Sequence, residues 1–172
     1  MPRADTTGLR RGWTTGACAT AAARAAFAGL LSGTFPDPVS IRLPRGGRAE
    51  FALALAERGE AWARAGIVKD AGDDPDVTHG ALVVAEVAPA APGSGIGFAA
   101  GAGVGTVTRA GLALAVGEPA INPAPRAMIR AALVETAAES GLPPPDLIVT
   151  ISIPGGERLA EKTMNARLGI LG

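Results

Sequence analysis

Lys69, Asp70, Asp73, Asp74, Asp76 and His79 fall within one stretch of fourteen residues, 67–80, in a chain where only 19% of residues are charged. Carboxylates gathered beside a lysine and the only histidine can bind cations, move protons or hold a polar ligand. The spacing D-x-x-D-D-P-D is not the D-x-D-x-D-G of a calcium loop, and Pro75 stands where such a loop would turn. Mg²⁺ on a phosphate substrate is conceivable, but no phosphate-cradling P-loop accompanies the aspartates. Cys18, the only cysteine, would need His79 as its base, and no third residue is evident to orient it. A single cysteine also excludes a disulfide framework and a Cys/His zinc site.

Other chemistry-bearing groups sit at element ends. Thr14, Thr15 and Gly16 precede an alanine-rich helical pattern, and free amides and the helix dipole there favour an anion. Asn122 and Arg126 open a second helical pattern, where a cation meets an unfavourable dipole; such local conflicts are expected at functional sites. Gly101, Gly103 and Gly105 are spaced G-x-G-x-G and followed by Thr106, Val107 and Thr108. A dinucleotide fingerprint would be G-x-G-x-x-G opening a helix, whereas a β-branched run is strand-like. These glycines fit a tight strand-loop-strand whose backbone a ligand can approach. Together the groups describe a ligand site of mixed polarity without a protein-bound metal. They do not name a reaction.

The elements that must position these groups follow from periodicity. Thr14 or Thr15 can cap the first helix. Ala19, Ala22, Ala23, Ala26, Phe27 and Leu30 then mark one helical face, and Gly33 stops it. "VSIRLP", "AEFALALAE" and "AWARAGIV" read as three strands of a meander, the second placing Phe51, Leu53 and Leu55 on one face. The third delivers Lys69 and the aspartate loop at its end. "ALVVAEV" is a further strand, followed by a Pro/Gly connector at 88–95. Pro125 fits a first helical turn, Met128, Ile129, Ala132 and Leu133 make a face, and Gly141 ends it. "DLIVTISIPGGE" is a strand, and "RLAEKTMNARLGILG" has the pattern of a short helix that then turns apolar. Strands clustered between helices imply an α+β fold: a mostly antiparallel or mixed sheet with two main helices packed on it in two layers, as one domain over 1–172.

Composition bounds the function. Apolar residues make up 48% of 172, which supports a globular core. Sixteen basic residues balance sixteen acidic ones, so no basic field favours nucleic acid. Neither a leader nor a membrane-spanning run is evident, and a cytoplasmic location is expected.

Five long stretches resemble one family in the family's own order: "RRGWTTGACATAAA", "VKDAGDDPDVTHGA", "GVGTVTRAGL", "VGEPAINPAPRAMI" and "ISIPGGERLAEKTMNARLGI". They are similar to the cobalt-precorrin-5B C1-methyltransferases of anaerobic cobalamin synthesis, and they cover 10–170. Trp13 stands where tyrosine is usual, Ala102 where an acidic residue is common, and Met164 and Ala166 where phenylalanine and proline are usual. Family members also run on through a second region, so the chain resembles their N-terminal part.

The resemblance implies methyl transfer from S-adenosylmethionine to ring carbon C1 of a cobalt-bearing tetrapyrrole, giving cobalt-precorrin-6A. Helix starts and arginines suit the carboxylates of such a substrate. On this reading Asp70 and Asp73 are the catalytic candidates. Thr14, Thr15, Gly16, Lys69, His79, Asn122, Arg126 and Lys162 would bind the tetrapyrrole, and Gly101, Gly103, Gly105 and Thr106 the methyl donor; the opposite allocation of loops stays open. No nucleic-acid or membrane partner is implied, and the chain alone is expected to self-associate. Two other readings compete: a tetrapyrrole-binding fragment without activity, and a small-molecule phosphotransferase on a similar sheet. Turnover would separate the first and calorimetry with ATP the second.

Overall fold

The structure, a computed structural model, describes residues 14–69, 80–104, 106–107, 121–154 and 170–171. The first helix, α1 (Thr15–Ser32), starts where Thr14 leaves the helical region (φ −77°, ψ 159°) and its Oγ1 accepts from the Ala17 N–H at 3.0 Å. It ends at Gly33, whose φ of 82° is left-handed and whose N–H donates to the Gly29 carbonyl at 2.8 Å. The expected face is buried from Ala19 to Phe27, with Leu30 packed against the core, but burial extends beyond it. Ala17, Ala19, Ala21, Ala22, Ala23, Ala25 and Ala26 are all buried, so the helix is enclosed around its circumference rather than along one stripe.

Two strands, β1 (Val39–Arg42) and β2 (Arg48–Phe51), form a separate antiparallel hairpin, and β1 packs on α1. Here the expectation of one long "AEFALALAE" strand is corrected. The ladder stops at Phe51. Residues 52–54 instead anchor the chain elsewhere: Leu53 N–H donates to the Asp37 carboxylate at 3.1 Å, and Ala54 N–H to the Gly66 carbonyl at 2.8 Å. Pairing resumes in β3 (Leu55–Arg58) with a different partner, β4 (Ala63–Val68). Alternating hydrophobicity continues through the break, so periodicity alone could not show it.

With β5 (Leu82–Pro89), β6 (Ile96–Ala100) and β8 (Leu147–Ser152), these strands build a five-stranded sheet in the order β3-β4-β5-β8-β6. All neighbours are antiparallel except β6 and β8, which are parallel and are linked through α2 (Pro123–Glu139). The strand-like run after the glycines contains β7 (Thr106–Val107), which pairs with β9 (Ile170–Leu171). The fold is α+β with a mixed sheet. Of the stretch "RLAEKTMNARLGILG", read as a short helix that then turns apolar, residues 158–169 lie outside the described residues and the apolar end carries β9.

The core lies between one sheet face and α1. Ala63, Ala65 and Ile67 of β4, Ala85 of β5 and Val149 and Ile151 of β8 point into it. Alanine against alanine lets the helix lie close to the sheet. α2 lines up beside α1 and adds Ile129, Leu133 and Ala137. Arg24 ties the helices together, donating to Glu135 at 2.6 Å and to Glu139 at 2.8 Å. Arg42 of the hairpin reaches the same Glu135. Burial pulls the Glu135 carboxyl up, but the hydrogen bonds and charges of Arg42 and Arg24 outweigh it and hold the group below its ordinary value.

Candidate functional site

Strand directions collect the chemistry at one edge of the sheet. Val68 pairs with Leu82, Val84 with Ser152 and Ile151 with Ala100, so the C-terminal ends of β4, β6 and β8 point the same way. Lys69 therefore shares an edge with Gly101, Gly103 and Pro154. The helix starts join them. α2 lies between β6 and the parallel β8, and residues 140–146 lead its far end directly into the start of β8, so its N-terminus faces the strands' C-terminal ends. α1 runs in the same direction as α2: Gly16 meets Pro125 at their starts, and Arg24 meets Glu135 further along. Thr14, Thr15, Gly16, Asn122 and Arg126 thus gather at that edge. Ligands in α/β sheets characteristically bind outside the carboxyl ends of strands.

The two helix starts differ as anion sites. α1 is capped by Thr14, and the Thr15 and Gly16 amides have no partner within the helix. Gly16 also has a packing reason: a Cβ there would lie 3.1 Å from Pro125 Cγ. At α2, Asn122 makes no side-chain cap, and Pro123 and Pro125 carry no N–H. That start contributes its dipole but, among its first three residues, only the Ala124 amide.

Arg126 is fixed in place. Its Nε donates to the Ile121 carbonyl at 2.7 Å, and its guanidinium lies 5.5 Å from the Phe98 ring centre. Arg130, one turn on, covers the same ring at 5.0 Å. Sequence reading missed Arg130. Its i, i+4 spacing from Arg126 was a visible signal, but the shared Phe98 on β6 was not.

Lys69 is 5% exposed, a low value for lysine. Its N–H donates to the Ala81 carbonyl and its carbonyl accepts from the Gly80 N–H, both at 2.8 Å. This clamp holds both ends of the aspartate stretch at the edge. Asp70, Asp73 and His79 lie between them, outside the described residues, as do Gly105 and Lys162. Gly101 is required by its neighbours, since a Cβ would come within 3.1 Å of the Ile151 carbonyl and closer still to Ser152 Oγ. Gly103 has a left-handed φ of 77°. Beyond it, Ile153 N–H donates to the Ala102 carbonyl at 2.7 Å, joining the glycine turn to the end of β8. Thr106 begins β7 and pairs with Leu171. Among the described residues no group of three or more His, Cys, Asp or Glu stands together, and no helix is long and apolar enough to cross a membrane.

The sequence matches the model of the CbiD family over residues 2–172. It is 61% identical over 166 residues to a cobalt-precorrin-5B C(1)-methyltransferase of Halorhodospira halophila, covering 96% of this chain and 44% of that protein. Proteins of the same name from Paramagnetospirillum magneticum and Brucella canis are each 62% identical, over 98% and 95% of the chain. The alignments cover 47% and 44% of those proteins, so the chain spans a little under half the length of these relatives. No solved structure matches. The chain belongs to the CbiD family.

Proposed function

We propose that this chain forms one wall of the active site of a cobalt-precorrin-5B C1-methyltransferase, with S-adenosylmethionine as methyl donor. The observation that carries the reading is convergence: the described parts of five separate sequence stretches meet at one sheet edge, in a chain more than 60% identical to proteins of that name. The Thr15 and Gly16 amides suit a carboxylate, which both the amino-acid end of S-adenosylmethionine and the periphery of a tetrapyrrole carry. The donor supplies a sulfonium methyl; its S–CH₃ bond breaks as the bond to ring carbon C1 forms. Cobalt belongs to the substrate. The protein's task is alignment, which can supply about 7–11 kcal/mol.

Within this proposal Thr14, Thr15, Gly16, Asn122, Arg126, Lys69, His79 and Lys162 face the tetrapyrrole. The glycine turn with Thr106 faces the methyl donor, and Asp70 and Asp73 act at the reacting centre. The test is incorporation of labelled methyl into cobalt-precorrin-5B, by this chain alone and by the chain joined to the remaining part of the Paramagnetospirillum magneticum relative. The joined protein should turn over and the 172-residue chain should not. In the joined protein Asp70→Asn should lower the rate at least about tenfold, roughly 1.4 kcal/mol. Arg126→Ala should raise the KM for the tetrapyrrole and spare affinity for S-adenosylmethionine. Loss of donor binding instead would reverse the allocation of the loops.

A further inference from the structure

The sheet face turned away from the helices is divided into two chemically different halves. Across its middle runs a charged line. Glu57, Arg64 and Glu86 are register neighbours on β3, β4 and β5, and Arg64 donates to Glu57 at 2.9 Å and to Glu86 at 2.7 Å. Trp62 lies against the Arg64 guanidinium, 4.7 Å from ring centre to carbon. The hydrogen bond to Glu86, with the attraction of both carboxylates, raises the Arg64 pKa further. These charges satisfy one another and suit water.

Between this line and the candidate-site edge the face is apolar. Leu55, Leu82 and Val84 close over Gly66, where a Cβ would lie only 3.1 to 3.3 Å from their side chains, so Gly66 and Val84 are buried beneath a shared apolar surface. Val68, the last residue of β4, stands directly across from Leu82 in the ladder and is 52% exposed. Sheets normally bury such residues or place polar ones there. Ile148, also exposed, lies on the far side of the charged line.

We propose that the apolar half, centred on the exposed Val68 beside Leu55 and Leu82, is the docking surface for the part of the family protein that lies outside the region matched here. Three observations select this occupant. More than half of each compared relative lies outside the region matched here. The apolar half borders the edge where Lys69 and the helix starts gather, so a domain seated on it would supply the facing wall of that site. The charged line marks where cover is no longer needed. The inference rests on the family assignment and on the edge geometry, but it needs no catalytic activity to be tested.

Single cysteines at Val68 and at Ile148 report the two halves, because the native Cys18 is buried. Their rates of maleimide labelling would be compared in this chain alone and in the chain joined to the remainder of the Paramagnetospirillum magneticum protein. Val68→Cys should label at least about tenfold more slowly in the joined protein, while Ile148→Cys keeps its rate. Equal rates for Val68→Cys in both contexts would overturn the proposal, as would equal slowing at both positions. Protection in the 172-residue chain that grows with its concentration would assign the surface to a second copy instead and also overturn it. Should the cysteine variants or the joined protein fold poorly, the remainder can be titrated in trans. Val68→Thr should then weaken capture of the remainder at least about threefold and Ile148→Thr should not; equal affinities would count against the proposal. Methyl transfer enters none of these readouts, so failure of the functional reading would leave them interpretable.

Discussion

α1 and α2 are nearly the same length, 18 and 17 residues, and lie side by side in the same direction, yet they do opposite jobs. α1 is core. Its alanines are buried on every side, by the sheet, by β1 and by α2. α2 is cover. It buries Ile129, Ala132, Leu133, Thr136 and Ala137 and turns the rest of its surface outward. Their starts differ in the same sense. α1 begins with a threonine cap and two donor amides, α2 with two prolines and an arginine stacked on a ring. The lesson is that a helix of small residues can be the centre of a domain. Its value lies in how closely other elements approach it, and larger side chains would push them away.

The comparison can be broken most severely from α2's inner stripe. Leu133 is fully buried, and Leu133→Ala should cost about 2–5 kcal/mol in urea denaturation, because the transfer term and the cavity add. The next effect belongs to α1. Ala22 has no exposed surface, and Ala22→Leu should destabilise by about 1–3 kcal/mol through overpacking. The same change at the exposed Ala131 of α2 should stay within about 0.5 kcal/mol. If both alanines tolerated leucine equally, α1 would not be the packed centre described above.

Smaller effects sharpen the contrast at the helix starts and between the helices. Thr14→Ala should cost about 1 kcal/mol by leaving the Ala17 amide without its cap, whereas Asn122→Ala, which removes no cap bond, should cost less. The weakest expected signal is pH dependence. Glu135 has a folded-state pKa held below its unfolded value of about 4.3. Its contribution is present above that pH and is lost as pH falls through the lower folded value. Denaturation midpoints measured from pH 6 to pH 3 should therefore fall, and Glu135→Gln should flatten part of that decline. An unchanged slope in the variant would mean that the contacts to Arg24 and Arg42 contribute little to stability.

Much of this architecture can be read directly from local patterns. Thr14 before an alanine run, Gly33 after it, prolines opening α2 and the alternation of Leu147, Val149 and Ile151 all act within a turn or a strand. The chemistry-bearing groups were legible for the same reason: residue type and spacing identify a helix start, a glycine turn or an acidic stretch without knowledge of the fold. The break after Phe51 was not legible, because alternation continues through Leu53 and Leu55 while the hydrogen bonds go to Asp37 and Gly66.

The sequence alone determined both helices, most of the strands and that the fold is α+β. Only the tertiary structure decided that the chemistry-bearing stretches share one edge, that α1 and α2 point the same way, and that the open sheet face has an apolar half. The physical reason is range. Caps, turns and periodicity are interactions within a few residues, whereas the Arg24–Glu135 contact joins positions 111 apart and strand register is fixed by pairing across the sheet. No local pattern records which distant partner a segment will meet; packing and backbone hydrogen bonding in the folded chain decide that.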